Sequence, residues 1–242
     1  MAPVDQGLRN PIFCAIDTPD LGTATTWAAR IGDHVGGIKL GLEFISAHGP
    51  KGIEHVMKAS GLPAFLDVKF HDIPNTVARA VLSLLPLEPD IMTIHTQGGG
   101  AMMVAAAKAA DEAKSQGLKR PKIIGVTILT SLDQSDLGAM GVQGPVRDQV
   151  ARLGRLAKTS GLDGCVCSPF EIEVLREVCG EDFLLVVPGI RPKGAATRDQ
   201  KRVMGPNEAL KAGADILVIG RPITASDDPS SAVNDILTEI GS

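Results

Sequence analysis

Short apolar runs rich in Ile, Val and Leu recur along the chain, and most of them end on Gly, Asp, His or Ser. Eight of these runs read as strands: Ile12 to Asp17, Gly37 to Gly41, Ala64 to Phe70, Ile91 to His95, Ile123 to Leu129, Gly164 to Ser168, Phe183 to Pro188, and Ile216 to Gly220. An Ala- or Leu-rich stretch of helical character follows each one: Leu21 to Gly32, Pro50 to Ser60, Thr76 to Leu85, Ala101 to Gln116, Pro145 to Thr159, Phe170 to Val178, Pro206 to Ala212, and Ser230 to Ile240. Strand then helix, repeated, gives a parallel sheet covered by helices. Eight units at a mean spacing of roughly 30 residues predict an α/β protein, a closed (β/α)8 TIM barrel rather than an open doubly wound sheet. No G-x-G-x-x-G opens a first helix, and Gln97-Gly98-Gly99-Gly100 after the fourth strand is alone a weak sign of backbone approaching a ligand.

A barrel of this kind carries its chemistry at the carboxyl ends of the strands. Polar residues do gather there: Asp17, Lys39, Asp67 and Lys69, His95, Thr130 and Ser131, Ser168, Arg191, and Arg221. The third run is the most unusual. Apolar Phe65, Leu66, Val68 and Phe70 bracket Asp67 and Lys69, which strand alternation places on one face. Burying an unpaired charge is costly, so the two are either a structural ion pair or working chemistry, and Asp72 just beyond adds a second acid.

Lys39 stands between Gly37 and Gly41 at the same-face positions, which would leave room for its long side chain in the barrel mouth. A snorkelling surface lysine is the rival reading. Asp17 could accept hydrogen bonds from a sugar hydroxyl or cap the following helix. His95 reads as a hydrogen-bonded residue behind the site rather than a base. Thr130 and Ser131 suit the amide edge of a flat heterocycle, or serve only as turn caps.

The last two loops suggest an anion. Pro188-Gly189-Ile190-Arg191-Pro192 follows the seventh run and Gly220-Arg221-Pro222-Ile223 the eighth, where these barrels commonly bind phosphate. Arg191 and Arg221 supply guanidinium forks, while Gly189 and Gly220 let the backbone come close. The long polar seventh loop reads as a closing lid, with Arg198, Lys201 and Arg202 as its solvated basic face.

Composition narrows the classes. With 242 residues, 44% hydrophobic and 21% charged, the chain can bury one large core, so residues 1–242 read as a single domain with 1–11 as an N-terminal extension. A net charge of -4 and a pI near 5.7 argue against nucleic-acid polymers and anionic membranes as partners. The first ten residues lack an apolar signal region and no run approaches the ~18 apolar residues of a membrane span, which implies a cytoplasmic protein. Cys14, Cys165, Cys167 and Cys179 lie in apolar runs or a helix pattern without ligand spacing, so they read as reduced packing residues and no metal site is expected. Tyrosine is lacking and aromatics are 3%, which leaves little from which to build base-stacking platforms.

Taken in order, Ala15-Ile16-Asp17, Ile38-Lys39-Leu40-Gly41, Phe65 through Thr76, Val126 through Ser131, Val166-Cys167-Ser168-Pro169, Val187 through Pro192 and Leu217 through Thr224 resemble the orotidine 5′-phosphate decarboxylase family over nearly the whole chain. The D-x-K-x-x-D core is shared with magnesium-dependent hexulose-phosphate synthases, but the Leu-Thr-Ser and Pro-Gly-Ile-Arg-Pro elements beside it make the resemblance specific. Gly205-Pro206 stands where the family often has Thr-Pro, a change confined to a helix start.

The resemblance implies cofactor-free decarboxylation of a nucleotide monophosphate by a homodimer whose active site is shared between subunits. Lys39, Asp67 and Lys69 would form an alternating charge network completed by the partner's Asp72. Asp17 and Lys39 would hold ribose, Ser131 with Thr130 beside it would read the pyrimidine, and Gln200 and Arg221, with Gly220 and Arg191 nearby, would bind phosphate. Thr76 would reach the ligand from the partner subunit. Two alternatives stand beside it: a magnesium-dependent sugar-phosphate lyase on the same scaffold, and a phosphate-binding barrel without catalysis.

Overall fold

The structure is a computed structural model that describes residues 10–192 and 204–241. Eight parallel strands follow one another around a closed barrel: β1 (Ile12–Ile16), β2 (Gly37–Leu40), β3 (Ala64–Phe70), β4 (Ile91–His95), β5 (Lys122–Val126), β6 (Gly164–Val166), β7 (Leu184–Val187) and β8 (Ile216–Ile219), with β8 pairing back onto β1. Helices α1 (Leu21–Ile31), α2 (Leu42–Ser60), α3 (Pro74–Leu84), α4 (Gly100–Ser115), α5 (Gln134–Ala139), α6 (Val146–Thr159), α7 (Ile172–Cys179), α8 (Pro206–Ala212), α9 (Arg221–Thr224) and α10 (Pro229–Gly241) fill the connections and the C-terminus. The expected (β/α)8 barrel is therefore the fold. Among the described residues no helix is long and apolar enough to cross a membrane.

Period-two alternation sorts the strand residues into two cores. Phe13, Ala15, Phe65, Ile91, Ile124, Val186, Ile216 and Val218 point inward and fill the barrel. Their neighbours Cys14, Leu66, Met92, Ile123, Leu185 and Leu217 point outward into the larger layer beneath the helices. Each fully buried side chain of this size contributes about 1.5–3 kcal/mol, so the two layers together fix which face of every strand looks inward. All four cysteines are free and buried, and burial pushes the Cys14 and Cys165 thiols well up.

Several elements depart from the sequence pattern for local reasons. Helix α2 starts at Leu42, not Pro50, because two helical segments meet at Gly49 (φ 57, ψ -160) just before the proline. Proline disfavours a helical conformation in the residue before it, and Gly49 absorbs the resulting break. Helix α5 has no counterpart among the stretches that the sequence pattern predicts. It is opened by a capping box in which the Asp133 carboxylate accepts from the Ser135 and Asp136 N–H groups while Asp136 accepts from Asp133 N–H. The fifth strand ends at Val126 and not Leu129, since Thr127 turns both its N–H and its hydroxyl onto the Val166 carbonyl. The sixth ends at Val166 rather than Ser168, whose N–H donates to the Glu171 carboxylate.

The floor of the barrel is closed by one device used three times. Asp90, Asp163 and Asp215 each stand one residue before an even-numbered strand. Each donates its N–H to a carbonyl of the preceding odd-numbered strand and accepts that same residue's N–H with its carboxylate: Ala64 for Asp90 (2.8 Å), Ile123 for Asp163 (2.7 Å), and Leu185 for Asp215 (2.7 Å). A cation backs each carboxylate, namely Lys119, Arg120 and Arg176. At the remaining seam Gly36 replaces the aspartate, because a Cβ there would fall 2.0 Å from the Asn10 carbonyl oxygen. Asn10 Oδ1 accepts from Ile12 N–H instead. Asn10 and Pro11, the last residues of the expected N-terminal extension, are thus bonded into the floor, Pro11 through its carbonyl to Leu217 N–H.

Candidate active site

The opposite end of the barrel opens into a pocket formed by the strand ends and the loops that follow them. Its polar core is a chain of alternating charges from β1, β2 and β3. Asp17 Oδ1 lies 3.3 Å from Lys39 Nζ, Lys39 Nζ lies 3.5 Å from Asp67 Oδ2, and Asp67 Oδ2 accepts from Lys69 Nζ at 2.5 Å. Asp67 and Lys39 are buried, whereas the Lys69 side chain is 26% exposed and faces the cavity. Asp17 is the outermost member, with its side chain 59% exposed.

Sequence and local geometry explain the chain. Asp17 does not cap α1, since Asp20 does so by accepting from Thr23 N–H at 2.7 Å. Asp17 is thereby left for Lys39. Gly41 leaves room for this pair, as a Cβ there would come within 3.3 Å of both polar atoms. Gly37 serves a different end from the one expected: a Cβ would overlap the Phe13 ring at 2.3 Å, so that glycine accommodates core packing rather than lysine.

Lys69 adopts φ 48, unusual for a side chain with a Cβ, where the β3–β4 register shifts between Leu66 and Phe70. Such a conformation costs on the order of 1–3 kcal/mol and persists only where its surroundings hold it. Here the Lys69 N–H donates to Thr93 Oγ1 at 3.0 Å, and Thr93 donates to Asp67 Oδ1 at 2.9 Å.

The electrostatics follow from burial and partners. Burial pushes the Asp67 carboxyl up, but the Lys39 and Lys69 ammonium groups, with hydrogen bonds from Lys69 and Thr93, outweigh it and hold the group below the usual carboxylate range. Asp67 is thus an anion across the neutral range and an anchor for two cations. Behind the site His95 stacks on His71 with ring centroids 5.4 Å apart. Burial, then His71 and Lys69, lower its pKa. It does not line the pocket, in keeping with a supporting place.

The remaining walls divide by chemistry. Val126, Ile128, Leu129, Val166, Val186 and Val218 form an apolar side, and Thr130 contributes a hydroxyl. Pro188, Gly189, Arg191, Gly220 and Arg221 form a cationic end, with Gly189 at φ 80. One guanidinium N–H of Arg191 donates to the carbonyl of Ile190 at 2.9 Å.

Of the residues expected at the site, the structure brings Asp17, Lys39, Asp67, Lys69, Thr130, Arg191, Gly220 and Arg221 into one cavity. Ser131 is exposed and does not line it, because the chain turns away after Thr130. Asp72 and Thr76 are also exposed and outside the pocket of their own chain, with Asp72 accepting from Ile73 N–H at 2.6 Å. Gln200 and the expected lid residues Arg198, Lys201 and Arg202 lie outside the described residues. Sequence reading missed Thr93, whose one signal is a polar side chain on the inward face of β4, in register between Ile91 and His95.

Comparison with known proteins places the chain in a family. The family model described as orotidine 5′-phosphate decarboxylase / HUMPS family matches residues 10–236. A Rhodospirillum rubrum protein named orotidine 5′-phosphate decarboxylase is 56% identical over 98% of this chain and 97% of its own length. One of the same name from Paramagnetospirillum magneticum is 51% identical over 96% and 99%. Among solved structures, orotidine 5′-phosphate decarboxylase from Lactobacillus acidophilus superimposes with a TM-score of 0.84 at 33% identity, covering 96% of this chain and all of that one. An alternating-charge mouth on a closed barrel and matches of this extent lead to one placement: the chain belongs to the orotidine 5′-phosphate decarboxylase / HUMPS family.

Proposed function

We propose that this chain converts orotidine 5′-phosphate to uridine 5′-phosphate and CO2 without metal or organic cofactor. The observation that carries the reading is the Asp17–Lys39–Asp67–Lys69 chain, which ends on a lysine facing a cavity that Arg191 and Arg221 also line. Cleavage of the bond between C6 and the carboxylate leaves an electron pair on C6, with no adjacent carbonyl placed to absorb it. The Lys69 ammonium stabilises that developing charge and then gives its proton to C6, after which solvent reprotonates the amine. Asp67 keeps Lys69 charged and aimed, and Lys39 balances Asp67 while its own contact with Asp17 leaves both able to reach ribose hydroxyls.

Arg191 and Arg221 bind the phosphate, with Gly189 and Gly220 admitting the backbone. Binding energy gathered there positions the ring far from the arginines. Thr130 takes the heterocycle-reading role nearest the cavity, and Ser131 and Gln200 remain candidates for ring and phosphate contacts. The metal-dependent lyase reading is less well supported, because both Asp67 oxygens are already engaged by two ammonium groups and a hydroxyl.

The reading extends to assembly. Asp72, Ile73 and Thr76 sit together at the start of α3, exposed, with Ile73 66% accessible. A second copy that buried this edge would gain an apolar contact and carry Asp72 and Thr76 toward a neighbouring mouth. The working unit is then a cytoplasmic homodimer of single-domain chains.

Loss of the orotate ultraviolet chromophore on addition of orotidine 5′-phosphate is the direct test, run with and without excess chelator. The rate is the same in both, and a chelator-sensitive rate points to the metal-dependent reading. Mixing inactive Lys69→Ala with inactive Asp72→Ala protein regenerates activity through mixed dimers; if subunits exchange and none returns, the site is not shared.

A further inference from the structure

We propose that Thr93 is a positioning residue for the decarboxylation: its buried hydroxyl, bridging the Asp67 carboxylate and the Lys69 backbone, sets the direction in which the proton-donating ammonium points. The inference rests on the function proposed above.

Thr93 is fully buried and lies below the cavity rather than on its wall, so it touches no ligand. Its hydroxyl uses both its capacities. As donor it takes Asp67 Oδ1 (2.9 Å), which leaves Oδ2 for Lys69 (2.5 Å) and Lys39 (3.5 Å). Rotation of the carboxylate would break all three contacts at once, so Thr93 fixes its plane. As acceptor it takes the Lys69 N–H (3.0 Å), the group that the register shift between Leu66 and Phe70 leaves out of the regular β3–β4 pairing.

An N–H buried without an acceptor is costly, and Lys69 is already held at φ 48. One side chain therefore stabilises the bulge that turns Lys69 and orients the anion that holds it. The alternative, that Thr93 merely fills volume, predicts that valine would serve as well, since it matches threonine in shape and lacks only the hydroxyl.

The test compares native protein with Thr93→Val, Thr93→Ser and Thr93→Ala by kcat and KM for orotidine 5′-phosphate, affinity for uridine 5′-phosphate, and the pH profile of kcat. Thr93→Val lowers kcat about 10- to 100-fold, the scale of a lost hydrogen bond to a charged group, and leaves product affinity within about threefold. Thr93→Ser, which keeps the hydroxyl, stays within about threefold of native. In Thr93→Val the acidic limb of the kcat profile moves to higher pH, since Asp67 has lost a donor that favours its ionised form.

Should the valine protein fail to fold, Thr93→Ala falling below Thr93→Ser by the same factor carries the same conclusion. A kcat for Thr93→Val within about threefold of native overturns the proposal, as does Thr93→Ser falling as far as the variants without a hydroxyl. Lack of turnover by the native protein defeats the proposed function itself, whereas a native rate that the valine variant shares defeats only the role of Thr93.

Discussion

The two ends of the barrel use the same residue types for opposite purposes. At the floor, Asp90, Asp163 and Asp215 each pair with a cation, but each also accepts a strand N–H, so the carboxylate is part of the backbone's own hydrogen bonding. At the mouth, Asp67 accepts no backbone N–H among the contacts described; its oxygens go to two ammonium groups and one hydroxyl. The floor carboxylates tie strands together, and none of the three aspartates has a positive φ. The mouth carboxylate holds a lysine whose backbone sits at φ 48. The same ionic chemistry is therefore spent on stability at one end and on aiming a charge at the other.

The largest expected effect comes from the mouth. In the proposed mechanism Lys69→Ala removes both the cation facing C6 and the proton source, so kcat falls by a factor of about 10⁴ or more. Affinity for uridine 5′-phosphate changes by no more than about tenfold, since Arg191 and Arg221 are untouched. Asp67 keeps Lys39 and Thr93 as partners, so unfolding free energy drops less than in a floor variant. Steady-state kinetics and urea unfolding on one preparation test both halves, and near-native turnover would end the assignment of Lys69.

At the floor the signature inverts. Asp163→Ala strips Ile123 N–H of its acceptor and leaves Arg120 without a carboxylate that it now grips at 2.9 Å through both oxygens. Because Arg120 keeps Asp111 as a second partner at 2.7 Å, the cost is that of the orphaned N–H and one lost contact to a charged group, about 1–3 kcal/mol of stability. Turnover of the protein that remains folded stays within about twofold of native. A floor substitution that spared stability but cut kcat would erase the division between the two ends.

How much of this was legible in the sequence follows the same division. The mouth stood out because charges inside apolar strands contradict the pattern around them, as Asp67 and Lys69 do between Phe65, Val68 and Phe70. The floor aspartates break no pattern. One aspartate before a strand reads as an ordinary turn residue, and only the register shows that Asp90, Asp163 and Asp215 repeat one bond at alternate seams. Thr93 was hidden for a related reason, since a β-branched residue inside Ile91–His95 suits a strand without any further role. Thr130 and Ser131 could not be told apart, because past Val126 the chain has no period to assign a face.

The smallest effect separates the two ends by sign, through the pH dependence of stability. Asp67 is held below the usual carboxylate range in the folded protein, its burial outweighed by Lys39 and Lys69. Its contribution is therefore complete above the unfolded value, about 3.9, and is lost as pH falls through the lower folded value. Asp215 runs the other way. Burial raises its pKa beyond what the Leu185 N–H and Arg176 can offset. Its contribution is present below about pH 3.9 and is lost as pH rises through the raised folded value. Urea unfolding between about pH 2.5 and 6 on Asp67→Asn and Asp215→Asn resolves the two. The first loses part of the rise in stability with pH below about 4, and the second loses part of a fall just above it. Equal slopes in both variants would mean that two ammonium groups and a single guanidinium act alike on a buried carboxylate, and the contrast between mouth and floor would then rest on strain at Lys69 alone.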